Sequence, residues 1–135
     1  MPTVEVNYIA VLVAGVLSMV VGFIWYSKPL FANAWQKEVG LSDSDIGKGP
    51  GTGYLWAFVA ALLTAYVLAH FNAYAGATTA MQGAITGFWA WLGFVATSMG
   101  MNMIFEGKSS KLFMINAGMQ LVNLMVMGAL LAVWQ

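Results

Sequence analysis

The sequence has no cysteine, no arginine and a single histidine among its 135 residues. Without cysteine, disulfides, thiolate nucleophiles and cysteine-ligated metals are excluded. Only 7% of the residues are charged, whereas soluble domains carry about a quarter. The lysines form no basic cluster, so no nucleic-acid partner is expected. These absences indicate lipid rather than water as the main solvent.

Apolar residues make up 61% of the chain and gather in four runs without Asp, Glu, Lys or Arg. Each run is long enough for a membrane-spanning helix, which needs about 20 residues. The predicted fold is therefore an all-α integral membrane protein, with one domain over residues 1–135. The predicted transmembrane helices cover about 7–26, 53–71, 81–105 and 112–134.

A signal peptide is the alternative for the first run, with Ala32–Ala34 as a candidate cleavage site. The segment before the run carries Glu5 and no lysine, and about 20 apolar residues exceed a usual signal-peptide core. A retained transmembrane helix is the favoured interpretation.

All five lysines lie in the loops 27–52 and 106–111, which face the same side of a four-span chain. The opposite side, with both termini and the loop 72–80, has none. The positive-inside rule therefore predicts that the two lysine-bearing loops are cytoplasmic. Both termini are expected outside, in a multi-pass protein of the cytoplasmic membrane.

The stretch after the first run predicts an interfacial helix. Trp25 and Tyr26 are suited to headgroup depth, and Pro29 cannot continue a helix but fits the start of another. Apolar residues then recur at helical spacing over 30–39, which predicts a short amphipathic helix in the interface plane. Gly40 is expected to end it, with Ser42 capping a further turn and 47–53 forming a hinge.

This part of the sequence resembles a family of uncharacterised bacterial four-span membrane proteins. The resemblance implies the fold and the membrane location and supplies no activity, because the family is a domain of unknown function. The matching residues, over the first third of the chain, are Asn7, Tyr8, Ala10–Ala14, Trp25, Tyr26, Ser27, Phe31, Trp35, Gly40, Leu41, Ser42, Asp45 and Ile46, with Pro29 one place later than in the family pattern.

Small residues recur along three of the runs, as expected for helices that pack closely in lipid. Close packing is the favoured interpretation, and a pore lined by small polar groups is the alternative. The stripes are Ala10, Ala14, Ser18 and Gly22; Ala57, Ala61 and Thr64; and Thr86, Ala90, Gly93, Thr97 and Gly100.

The fourth run carries three amides on one helical face: Asn116, Gln120 and Asn123. An amide in hydrocarbon is costly unless it is hydrogen-bonded, so this face should contact protein. Bonding between helices or between subunits is favoured, and solute coordination is the alternative.

No pattern for catalysis or metal binding is found. Every carboxylate lies outside the predicted transmembrane helices, and His70 has no candidate partner for a metal site. No enzyme, cofactor or metal is predicted.

Two functions remain open at this point. The first is a structural or accessory subunit that forms homo-oligomers or binds other membrane proteins within the bilayer. The alternative is a passive pore or small-solute transport protein lined by Asn, Gln and Thr side chains.

Overall fold

A computed structural model describes residues 2–41 and 52–135 of the chain. Throughout these residues the regular structure is helical, and four helical segments are long and apolar enough to cross a membrane. The prediction of an all-α fold with four transmembrane helices is therefore confirmed. The elements are α1 (Tyr8–Trp25), α2 (Ala32–Val39), α3 (Gly53–Ala75), α4 (Ala80–Ala90), a π-helical turn (Trp91–Ala96), α5 (Thr97–Glu106) and α6 (Ser110–Val133). The third transmembrane segment, Ala80–Glu106, consists of α4, the π-helical turn and α5.

Side-chain caps set where three of the helices begin. The Asn7 side-chain Oδ1 accepts from the Ala10 amide at 3.1 Å, and the Ser109 hydroxyl accepts from the Leu112 amide at the same distance. Thr79 and Gln82 form a reciprocal capping box at the start of α4. These bonds satisfy amide groups that the first helical turn leaves unpaired. The Ser109 cap explains why α6 begins at Ser110, two residues before the predicted Leu112.

Glycines in the left-handed conformation end three of the helices. Gly40, Gly76 and Gly107 have φ values of 84°, 71° and 69°, a region that other residues rarely adopt. The predicted stop at Gly40 is confirmed. The second transmembrane helix continues to Ala75, four residues beyond the predicted Phe71, because no glycine interrupts it before Gly76.

The chain makes a tight hydrogen-bonded turn between α1 and α2, and this turn includes Leu30, where the second helix was predicted to begin. The Ser27 carbonyl accepts from the amides of Leu30 and Ala32 at 3.0 and 3.1 Å. Because this turn uses Leu30 and Phe31, α2 begins at Ala32 rather than at the predicted residue 30. The predicted cap at Ser42 and most of the predicted hinge lie outside the described residues.

Helix α6 is the central element, packed against α1 and α3 on one side and against α4 on another. The contact with α4 is at backbone level: a Cβ added at Gly83 would overlap the Gly128 carbonyl oxygen and lie 2.6 Å from the Ala132 Cβ. Gly87 lies equally close to the Leu124 carbonyl group. Small residues permit this close approach. Because lipid is as apolar as the side chains, the hydrophobic effect does not drive the helices together, and van der Waals contact between them matters more.

The other side of α6 forms a conventional core with α1 and α3. Ala10 and Ala14 of the predicted α1 stripe are fully buried there, as is Ala65 of α3. They pack with larger side chains, of which Leu68 and Met127 are fully buried. The small-residue prediction is thus confirmed for the first half of α1, whereas Gly22 at its far end has nothing within 4 Å of an added Cβ.

Candidate functional site

The aromatic motif after α1 and the amide face of α6 meet in one place. The Tyr26 hydroxyl donates to the Asn116 Oδ1 at 2.7 Å, and the Trp25 indole donates to the Ile115 carbonyl at 2.9 Å. Burial raises the pKa of Tyr26 above its ordinary value, so near neutral pH the phenol keeps its proton and acts as the donor. Two sets of residues that were predicted separately therefore form a single corner.

Ring contacts fold α2 back onto this corner. The rings of Trp25 and Phe31 are stacked with centroids 4.6 Å apart, and those of Tyr26 and Trp35 meet edge-on at 5.9 Å. Both distances fall in the range of favourable aromatic pairs. We call Trp25, Tyr26, Phe31, Trp35 and Asn116 the aromatic corner. The four aromatic residues that the sequence places at the membrane interface thus make contacts within the chain.

A polar contact closes the same end of the bundle. The Ser109 hydroxyl donates to a Glu38 carboxylate oxygen at 2.6 Å while it also caps α6. This bond ties the end of α2 to the start of α6. Ser27 of the motif bonds locally, its hydroxyl donating to the Ile24 carbonyl at 2.6 Å, and Pro29 is exposed in the turn.

The three amides of α6 do not converge on one point. Asn116 is in the aromatic corner, whereas Asn123 lies about 10 Å further along the helix axis at ~1.5 Å per residue. Asn123 is only 5% exposed, and its Oδ1 has no hydrogen-bond partner among the described residues. Gln120 between them is half-buried. The face therefore points into its own chain, and Asn116 is bonded there without a second subunit.

Asn72 of α3 is a buried amide that sequence reasoning missed. It is 0% exposed, and its Nδ2 donates to the Gly128 carbonyl at 3.0 Å while its Oδ1 has no partner among the described residues. The same carbonyl faces Gly83 of α4, so three helices meet at Gly128. The spacing Ala61, Ala65, Leu68, Asn72 follows one helical face and was available in the sequence. Ending the second helix at Phe71 concealed it.

His70 makes a local contact at the other end of the bundle. Its Nδ1 lies 2.8 Å from the Tyr66 carbonyl, and its ring lies between those of Tyr66 and Tyr74 at 4.6 and 6.1 Å. His70 is thus held by contacts within its own helix, α3. Across residues 2–41 and 52–135, no three His, Asp or Glu side chains are grouped so as to hold a metal ion.

Most of the small-residue stripe predicted for the third transmembrane segment lies off its packing face within the chain, whereas its last member, Gly100, approaches α6: an added Cβ there would lie 3.7 Å from the Phe113 ring. Gly83 and Gly87 pack on α6 instead, and Trp91 donates from its indole to the Ala117 carbonyl at 2.8 Å. An added Cβ at Gly93 would meet nothing within 4 Å. We call Thr86, Ala90, Gly93 and Thr97 the open stripe.

The open stripe borders a groove of about 690 Å³ between α3 and α4. The two threonine hydroxyls of the open stripe bond within their own helical segment: Thr86 donates to the Gln82 carbonyl at 3.0 Å and Thr97 to the Gly93 carbonyl at 2.8 Å. The surface offered to a neighbour is therefore small and largely apolar. The groove is lined by Phe71, Tyr74, Ala75, Ala77, Gln82, Ile85, Thr86, Trp89, Ala90 and Phe94.

A family model described as "Protein of unknown function (DUF1761)" matches residues 9–132. The chain belongs to the DUF1761 family. This confirms the resemblance to an uncharacterised family and extends it from the first third of the chain to nearly all of it. No curated protein and no solved structure matches the chain. With the four transmembrane helices, family membership describes a multi-pass membrane protein and assigns no activity.

Proposed function

We propose that this DUF1761 protein is a non-catalytic membrane subunit that acts by helix–helix association through its open stripe. The observation that carries the proposal is that Gly93 has nothing within 4 Å of an added Cβ. Small residues on a transmembrane helix favour close approach of another helix. Within this chain the approach to α6 uses Gly83 and Gly87, so the open stripe is left for a partner.

The first partner to consider is a second copy of the chain. Two open stripes facing each other make an isologous contact, the commonest arrangement in homo-oligomers. The amides of α6 are poorly placed for this role because Asn116 already bonds to Tyr26 and Asn123 is buried. The subunit contact is therefore assigned to the third transmembrane segment rather than to the fourth.

The pore alternative has less support. A solute path along the amide face would need accessible amides, but Asn123 is buried and the neighbouring Met127 is 0% exposed. The aromatic corner covers Asn116 at the other end of that face. Opening such a path requires several packed side chains to move together.

The location proposed for this subunit is the bacterial cytoplasmic membrane, with the aromatic corner inside the cell. Lys28, Lys37, Lys108 and Lys111 lie beside that corner or at the start of α6. The opposite end of the described bundle carries no lysine. This distribution is typical of a cytoplasmic end.

The test compares two glycines that both have open space around them. Gly93→Leu places a bulky side chain in the open stripe, and Gly22→Leu does the same on α1, where an added Cβ also meets nothing within 4 Å. In lipid nanodiscs, cross-linking should show wild type and Gly22→Leu as oligomers and Gly93→Leu as largely monomeric.

Because Gly93 lies in the π-helical turn, Ala90→Leu provides a second variant outside it. Ala90→Leu should also reduce cross-linking. Unchanged cross-linking in both stripe variants, with helicity preserved, would show that the open stripe is not the contact and would overturn the proposal.

A further inference from the structure

The aromatic corner is bordered by lysines that form no ion pair with another described residue. Lys28, Lys37 and Lys111 are exposed, and none forms a salt bridge within the described residues. Lys108 differs, since its Nζ lies 3.2 Å from Glu106. Among the described residues, these three exposed ammonium groups therefore lack the ion pair that Lys108 has.

Contacts across the corner hold these three lysines in one region. Lys28 lies two residues after Tyr26, and Tyr26 bonds to Asn116. Lys37 and Lys111 lie within two residues of Glu38 and Ser109, which bond to each other at 2.6 Å. Each lysine is thus close in sequence to a side chain fixed in or beside the corner.

The nearby carboxylates are already engaged. Glu38 accepts from Ser109, and Glu106 pairs with Lys108. Residues 42–51, which connect α2 to α3, add Asp43, Asp45 and Lys48 to the sequence. Because the Ser109 hydroxyl does not cancel the charge of Glu38, the described residues of this corner carry three unpaired lysines against one carboxylate, an excess of positive charge.

We infer that this corner is a binding site for the phosphate headgroup of an anionic phospholipid. Tryptophan and tyrosine rings favour headgroup depth, and lysine side chains extend from there towards lipid phosphates. Basic groups beside a membrane attract anionic lipids. The tight turn and the Glu38–Ser109 bond fix the backbone next to each of the three lysines at this end of the bundle, so the site is expected to prefer anionic over zwitterionic headgroups.

The experiment measures lipid retention by native mass spectrometry of the detergent-purified protein, titrated with phosphatidylglycerol or phosphatidylcholine. Wild type should retain phosphatidylglycerol preferentially. Lys28→Gln, Lys37→Gln and Lys111→Gln should each weaken that retention roughly fivefold, and the triple variant should abolish the preference. Lys108→Gln is the matched control, since its charge is paired with Glu106, and should change retention less than twofold.

Three results would overturn the inference. Equal retention of both lipids by wild type would remove the anionic preference. An equal loss in Lys108→Gln would mean that any lysine at this end suffices. Protection against thermal unfolding by inorganic phosphate alone, equal to that by phosphatidylglycerol, would indicate a site for free anions rather than for lipid. Circular dichroism before titration confirms that each variant is folded.

Discussion

At the scale of single residues, the buried amides and the Tyr26 phenol determine how the helices are held together. In hydrocarbon a polar group must find its partner within protein, because no water competes for it. Asn116 of α6 meets this condition by accepting from Tyr26, which follows the end of α1. Asn72 meets it with its Nδ2 and leaves its Oδ1 without a partner among the described residues.

Replacing Tyr26 by phenylalanine tests the corner bond. Tyr26→Phe keeps the ring contact with Trp35 but removes the donor to Asn116. We expect it to lower the free energy of unfolding by about 1 kcal/mol near neutral pH, as for a typical hydrogen bond. Urea unfolding in mixed micelles, followed by circular dichroism, measures the difference. Tyr54→Phe is the control, since Tyr54 is 69% exposed.

The same pair of proteins gives a pH prediction. Burial raises the folded-state pKa of Tyr26 above 10.0, its value when exposed. Stability from this group is therefore fully present below pH 10 and is lost as the pH rises through the folded-state pKa. The stability difference between wild type and Tyr26→Phe should shrink in that range. A difference that stays constant up to alkaline unfolding would contradict the burial of the phenol.

At the scale of helices, the contact between α4 and α6 is the least tolerant of change. Gly83, Gly87 and Gly128 allow backbone atoms of the two helices to touch. An added methyl group there has no free space and would push the helices apart. The third transmembrane segment holds the rest of the bundle mainly through this contact, since its other principal neighbour is the end of α3.

Alanine substitution at two glycines should have opposite effects. Gly83→Ala would place its Cβ on the Gly128 carbonyl and is expected to cost about 2–3 kcal/mol through overpacking. Gly22→Ala adds the same methyl group where nothing lies within 4 Å and should stabilise α1 by up to about 1 kcal/mol. Thermal unfolding in detergent distinguishes the two. Equal midpoints for both variants would show that the close approach of α4 and α6 is absent.

At the scale of the whole molecule, the uneven distribution of charge predicts the orientation in the membrane. The protein has no cysteine, so a single introduced cysteine is the one thiol in it that a reagent can label. Lys108→Cys should be shielded from an impermeant thiol reagent in intact cells, and Ala75→Cys should react. Both positions are exposed in the structure. Labelling of Lys108→Cys with protection of Ala75→Cys would reverse the proposed orientation.

Helix number, helix type and most boundaries followed from the sequence alone. A transmembrane helix must satisfy its own backbone groups over a length set by the bilayer, so each long apolar run predicts one helix. Caps and left-handed glycines are local signals as well, and Gly40 shows that such a signal can be read directly. The late end of α3 and the early start of α6 differ from the prediction by a few residues for the same local reasons.

Which faces meet was decided only by the tertiary structure. In lipid, apolar side chains gain little by choosing protein over hydrocarbon, so hydrophobicity does not mark the buried face of a transmembrane helix. The third segment carries two sets of small residues, and the sequence does not distinguish Gly83 and Gly87, which contact α6, from Gly93, which remains open. Likewise, Tyr26 and Asn116 are 90 residues apart. Their partnership depends on α1 and α6 lying side by side, because a hydrogen bond between distant residues requires the packed bundle to bring donor and acceptor together.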